Sequence, residues 1–144
     1  MKKILLLSLF LISANAFAQD LNSRVTTFYT ILPNTDFLEE SYKQSVMAFI
    51  SPITKLNRDS IASNYFSFWN AQNMINNKMT SFYIDSLSFN NNNDSAIVFT
   101  NQIWNLDSSE KFLYTVKSEW VKYEGAWYLS DRPWINIGIK PYNK

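Results

Sequence analysis

The hydrophobic pattern of this chain changes period at Thr80, and that change limits the fold more than any other feature. Before Thr80, apolar residues recur every three or four positions, as on a helix face; after it they alternate, as on a strand. Leu21, Val25, Phe28 and Leu32 step by four, three and four, which predicts a first helix from Leu21 to Leu32. The β-branched Val25, Thr26, Thr27, Thr30 and Ile31 act against it, because they lose side-chain freedom in a helix. Pro33 and Asn34 break the run. Asp36 with Glu39 has the spacing of a capping box. It opens a second helix whose stripe is Leu38, Tyr42, Val46, Phe49, Ile50 and Ile53, with Pro52 ending or bending it. A third helix is predicted from about Asp59 to Ile75, with Ile61, Tyr65, Phe68, Trp69, Gln72 and Ile75 on one face.

The second half reads as strands. Phe82 and Ile84 alternate, then Leu87 and Phe89 alternate in the opposite phase, and such a slip inside a strand predicts a bulge or strong twist. Asn90 to Asp94 suits a hairpin turn. Ala96 to Leu106 is a second strand, and Asp107 to Ser109 the next turn. Phe112, Tyr114, Val116 and Trp120 line one face of a third strand, against Thr115, Lys117 and Glu119 on the other. Glu124 and Gly125 turn tightly into Trp127 to Leu129. Trp134 to Lys140 alternates Ile135, Ile137 and Ile139, as an edge strand or a docked tail. Helices first and a strand meander second make an α+β class: N-terminal helices packed on a curved, mainly antiparallel sheet of four to five strands.

Residues 1–18 carry a different signal. Lys2 and Lys3 precede an apolar run from Ile4 to Ile12, broken only by Ser8, and Ala16 and Ala18 flank Phe17. This is the charged, apolar and A-x-A pattern of a cleaved signal peptide. The run is shorter than the roughly 20 residues of a membrane span. The expectation is an exported protein, periplasmic or secreted, with a signal peptide over residues 1–18 and a single domain over 19–144. No cysteine follows the run, so a lipid anchor there is excluded, and no second long apolar run predicts a membrane span after cleavage.

The chain has no histidine and no cysteine. It therefore lacks the commonest general base and metal ligand near neutral pH, the strongest ordinary nucleophile and any disulfide. Without disulfides, packing must supply the stability. An aromatic content of 17% suits that need, since each large ring buries roughly 150–250 Å². Two glycines are too few for a phosphate-cradling loop. After cleavage 11 basic residues face 12 acidic ones, without the basic clusters that nucleic acid or an anionic membrane would require. No cofactor and no metal site is expected. Asn90 to Asp94 offers one carboxylate where a calcium loop needs several spaced oxygen ligands.

Two stretches resemble a known superfamily. They are Arg24-Val25-Thr26-Thr27-Phe28-Tyr29-Thr30-Ile31-Leu32 with the following Asp36, and Glu119-Trp120-Val121-Lys122-Tyr123-Glu124-Gly125-Ala126-Trp127-Tyr128-Leu129. Together they resemble the nuclear-transport-factor-2-like (SnoaL-like, cystatin-like) superfamily. The resemblance covers the order of elements and about 20 residues of motif. It implies a curved sheet wrapped round the first helix, a cone whose open end commonly holds an apolar pocket, and dimers formed through the sheet. Members include isomerases, dehydratases and non-catalytic binding or assembly modules, so the fold alone selects no function.

The function expected first is a non-enzymatic exported binding or accessory module. Its partner would be a small apolar ligand, a peptide or an envelope protein, and the candidate pocket residues are Tyr65, Phe68, Trp69, Trp104 and Trp120. An isomerase- or dehydratase-like enzyme in the same cone is the second expectation. Without histidine it would use carboxylates and tyrosines. The resemblance to the ketosteroid-isomerase branch points to Tyr29 as an oxyanion stabiliser, and Asp85 or Glu119 would bear the carboxylate. The third expectation is an envelope partner or inhibitory protein that acts through a sheet edge near Ile135 to Ile139. Asp59-Ser60-Ile61, Asp85-Ser86-Leu87 and Asp94-Ser95-Ala96 resemble an O-glycosylation signature of exported proteins in one bacterial phylum. Ser95, beside the Asn-rich turn, is the candidate acceptor.

Overall fold

The computed structural model describes residues 20–34, 38–106, 110–130 and 135–142. The predicted signal peptide, Asp36, the turn at 107–109 and Trp134 lie outside them.

Three helices precede five strands. The first helix, α1, covers residues 20–31, and its four stepped residues Leu21, Val25, Phe28 and Leu32 are all buried. The tension noted for its threonines is relieved locally: Thr27 and Thr30 are exposed, and each hydroxyl donates to the carbonyl four residues back. α2 (Glu39–Met47) starts with Leu38 at the cap position and no side-chain cap, so the helix takes its start from Glu39 and Glu40 in the positive first turn. It also ends earlier than Pro52 predicts. Phe49 to Ser51 leave the helix to pair with the last hairpin: Leu129 N–H donates to the Phe49 carbonyl at 2.7 Å and Ser51 N–H to the Leu129 carbonyl at 3.0 Å. Tyr42, Val46, Phe49 and Ile50 are buried, while Leu38 and Ile53, at the two ends of the predicted stripe, are exposed. α3 (Arg58–Met74) is capped by Asn57, whose side chain accepts from Ser60 N–H at 3.1 Å.

The strands are β1 (Lys78–Phe89), β2 (Ser95–Leu106), β3 (Glu110–Tyr123), β4 (Ala126–Leu129) and β5 (Ile135–Pro141). The order is β1-β2-β3-β4, with β5 also on β3, and every strand pair is antiparallel. β3 is long enough for two neighbours on one side: β4 pairs with Trp120 to Tyr123, and β5 with Phe112 to Lys117. The phase slip in β1 is a register shift between Ile84 and Ser86, and a second shift lies between Met79 and Ser81. Such bulges bend a strand and raise its twist. Glu124 and Gly125 both take positive φ, 48° and 85°, the geometry of a two-residue hairpin turn.

The register sets two faces. Rows such as Ile84–Thr100–Val116 and Phe89–Ala96–Trp120–Leu129 face the helices. With α1 and α3 they build one core that includes Phe28, Tyr29, Tyr65, Trp69, Val98, Trp120 and Trp127. Phe28 is its centre, with ring centroids 5.4 to 5.7 Å from those of Tyr29, Phe49, Tyr65 and Trp120. Arg24 locks the end of the layer away from α3's C-terminus. Its guanidinium donates to the Trp127 carbonyl at 3.1 Å and to the Ala48 carbonyl, and sits 4.0 Å from the centre of the Phe49 ring. No helix of the described residues is long and apolar enough to cross a membrane.

Candidate functional site

The cone is packed along α1 and opens beside the C-terminal half of α3. There a cavity of about 280 Å³ is lined by Phe68 and Gln72 of α3, Gln102 and Trp104 of β2, Tyr114 and Val116 of β3, and Asn136 of β5. Local rules put these side chains together. Phe68 and Gln72 are one helical turn apart, and Gln102 and Trp104 are two apart on a strand, so each pair shares a face. The ladder places Gln102 opposite Tyr114, and Val116 opposite Asn136.

The aromatic wall is held rigidly. Trp104 stacks on Trp69 with centroids 4.9 Å apart and planes 16° from parallel. Tyr114 and Phe68 close on Trp104 at 5.7 and 6.4 Å. Of the five aromatic candidates, Phe68 and Trp104 reach the cavity. Tyr65, Trp69 and Trp120 are core side chains, and Trp69 acts on the wall from behind. The sequence places Gln72 on the face of α3 and Tyr114 and Val116 on the apolar face of the third strand but does not mark them as lining, and it gives no sign of Gln102 or Asn136. Their meeting depends on the β2–β3–β5 register, which no local pattern encodes.

Behind the mouth lies a polar cluster inside the apolar core. Thr100, Gln102 and Ser118 face the helices and are buried. Tyr29 Oη lies beside all three without reaching hydrogen-bond geometry with any of them, and Thr100 Oγ1 likewise has no partner. Gln102 and Ser118 have committed their oxygens elsewhere: Gln102 Oε1 accepts from Trp104 Nε1 at 3.0 Å, and Ser118 Oγ from Trp120 Nε1 at 2.9 Å.

The residues considered for acid–base chemistry, Tyr29 with Asp85 or Glu119, do not meet. Tyr29 is buried against Phe82 on the helix side of the sheet. Asp85 is exposed at the β1 bulge and accepts from Asn101 Nδ2 at 3.2 Å; Asn101 Oδ1 in turn accepts from Thr115 Oγ1 at 2.7 Å, on the outer face. Glu119 is also on that outer face, paired with Lys117 at 3.1 Å.

Burial pushes the Tyr29 phenol up, partly offset by Thr100, Ser118 and Gln102, and burial pushes the Tyr42 phenol up as well. Tyr42 Oη donates to the Leu32 carbonyl at 2.9 Å. The sign follows from linkage. Unfolded tyrosines lose their protons near pH 10, whereas the folded chain keeps these two protonated to higher pH. Their stabilisation is full below about pH 10 and is lost as pH rises through the folded values. The chain has no histidine or cysteine. The urea midpoint is therefore expected to stay nearly flat from about pH 6 to 9 and to fall above about 10. Tyr42→Phe should make the alkaline fall shallower. A midpoint that climbs above pH 10 would contradict this.

Ser95 starts β2 and is half-buried, and its N–H donates to Asn90 Oδ1 at 3.1 Å. Ser60 and Ser86 are both exposed. A second recess, about 340 Å³, lies at this hairpin end of the sheet. Its lining mixes residues of both sheet faces, Ala96 with Ile97 and Trp120 with Glu119. It therefore wraps over the strand ends and does not enter the cone.

A bent antiparallel sheet closed over its first helix, with one open end, is the NTF2-like fold. The structure is similar to an NTF2-like, potential transfer protein, TraM, from the Gram-positive conjugative plasmid pIP501. The TM-score is 0.59 at 12% sequence identity, over 88% of this chain and 98% of that one. At that identity the likeness speaks for the fold alone. The sequence matches no protein-family model and no curated protein.

Proposed function

We propose that this protein is an exported, non-enzymatic binding or accessory module that seats a small ligand in the mouth of its cone. The observation that carries the reading is the lining of that mouth: three rings, one valine and three carboxamides, with no charged side chain. Such walls give contact area and orientation. Acid–base chemistry instead needs two convergent ionisable groups, and Tyr29 and Asp85 are separated by the sheet. TraM, which shares the fold, is a potential transfer protein, and an accessory role here is in keeping with that. Export rests on the pattern of residues 1–18, and glycosylation at Ser95 on the Asp-Ser-Ala triplet. Both are read from one intact-mass measurement on protein from its native cells, where loss of residues 1–18 and an added sugar mass are expected.

Native mass spectrometry of the same material tests the binding reading. A small molecule is expected at one copy per chain, absent when Val116→Trp fills the mouth. Ligand-free spectra for both proteins, with no probe binding to either, would end it. One observation favours a second reading. Ile137 and Ile139 are exposed on β5, which pairs with β3 alone among the described strands. A partner strand added there would protect the β5 amides from hydrogen exchange, whereas a ligand in the mouth would protect those of Gln102 and Trp104.

A further inference from the structure

We infer that the mature chain starts from a pyroglutamate: Gln19, left as the first residue when the signal peptide is cut, closes its side-chain amide onto its own α-amine. This rests on the export reading above and assigns a chemistry to that end of the chain. The A-x-A pattern ends at Ala18, where cleavage is expected, and Gln19 is the next residue. The chain has four glutamines against 17 asparagines, so composition alone favours the other amide at this place. Glutamine is the one that can react, because the shorter side chain of asparagine would have to close a strained ring. The α-nitrogen attacks Cδ and forms a new C–N bond. The Cδ–Nε2 bond breaks, and the amide nitrogen leaves as ammonium with two protons from the terminal amine. Both reacting groups belong to one residue, so proximity is supplied, and no co-reactant is consumed.

The start of α1 gives the lactam a use. The helix begins at Asp20, directly after Gln19 in the chain, and Leu21 is already fully buried. Two residues therefore separate the cut from the core. An aminopeptidase that removed them would reach Leu21 and then the rest of the buried face of α1, Val25, Phe28, Tyr29 and Leu32. Asp20, Asn22 and Ser23 are exposed, so this end of the helix is open to solvent. A lactam presents no α-amine for such an enzyme to hold. Charge points the same way. The first turn of a helix is the positive end of its dipole, which favours anions and disfavours cations. Asp20 places a carboxylate there, and Arg24, one turn on, is drawn to it. A free terminus would set an ammonium against that positive end, and cyclisation removes it.

The test reads the N-terminus of protein from its native cells. The protein is reductively dimethylated in denaturant before trypsin, so that every amine free in the cell takes the label. Trypsin then cuts after Arg24. The peptide of residues 19–24 is expected without label and lighter than its unmodified form by one ammonia. Gln19→Ala keeps the A-x-A site, so it should be cut in the same way, and its peptide should carry the label in full. A broad aminopeptidase added to both folded proteins should leave the parent intact. It should shorten the variant from its N-terminus, with a fall in the urea midpoint.

A labelled peptide of residues 19–24 at its unmodified mass from the parent would overturn the lactam and leave export standing. Equal resistance of parent and variant to the aminopeptidase would overturn the protective use drawn from Leu21. Peptides in which Ala18 is still joined to Gln19, or a first residue elsewhere, would sink the export reading and this inference with it.

Discussion

Phe28→Ala is expected to destabilise the protein by about 3–5 kcal/mol, the range for emptying a buried phenylalanine site. Few side chains here touch so many layers. Its ring meets Tyr29 on its own helix, Phe49 after α2, Tyr65 on α3 and Trp120 on β3. Those four neighbours are large and held by other contacts, so they cannot collapse into the space, and the cavity term is added in full to the lost transfer energy. The chain has no cysteine, so no disulfide offsets the loss. A domain of this size has a total stability of only about 5–15 kcal/mol, so much of it goes. Urea unfolding followed by tryptophan fluorescence is the measurement. Phe28→Leu should cost about 1–1.5 kcal/mol, in the range of conservative hydrophobic swaps. An alanine variant within 1 kcal/mol of the parent would show that α1 is not the axis of the core.

Arg24→Met is expected to cost about 2–3 kcal/mol. Methionine keeps the apolar stem and removes the fork. The two carbonyls it served, on Ala48 and Trp127, belong to segments far apart in sequence. A hydrogen bond to a charged group contributes about 1.5–3 kcal/mol, which applies to the part-buried bond to Trp127 and less to the exposed one to Ala48, and the ring contact with Phe49 adds about 0.5–1 kcal/mol. The sum is discounted because the bond to Ala48 is exposed and its carbonyl recovers water. Arg24→Lys should recover less than half, since one ammonium cannot span both acceptors. A loss below about 0.5 kcal/mol for the methionine variant, on the scale of an exposed contact, would remove Arg24 from the closure of that end.

Much of the fold is written locally. The 4-3-4 spacing of Leu21 to Leu32, the slip between Ile84 and Leu87, and the Glu124-Gly125 turn each encode a feature within a few residues, and each is found where that spacing puts it. Other features are set at a distance. α2 ends at Met47 because Phe49 to Ser51 find partners near Leu129, some 80 residues on. Pro52 gives no hint of that. β5 takes the free side of β3 because β4 covers only four residues of it, a consequence of strand lengths and not of the Ile135-x-Ile137-x-Ile139 alternation.

The mouth is the least legible part. Tyr65, Phe68, Trp69, Trp104 and Trp120 are equivalent as large apolar rings in a string of letters. Whether each fills the core or lines an opening depends on how α3 packs on β2 and β3, which is set by contacts far apart in sequence. The amides were invisible for a different reason. Gln102 and Asn136 carry no charge, no nucleophile and no motif spacing, and Gln72, although it falls on the predicted face of α3, has no chemistry that marks it out from its neighbours.

The most direct measurement is a ¹H–¹⁵N spectrum of the tryptophan indole N–H groups during titration with a small bicyclic aromatic probe such as naphthalene. Trp104 bonds to Gln102 at the mouth, while Trp120 and Trp127 are sealed in the core. Binding in the open end should move the Trp104 signal in a saturable way and leave those of Trp120 and Trp127 in place. Movement of Trp120 and Trp127 with Trp104 still, or no movement at all, would contradict a ligand site between α3 and the β2–β3–β5 edge of the cone.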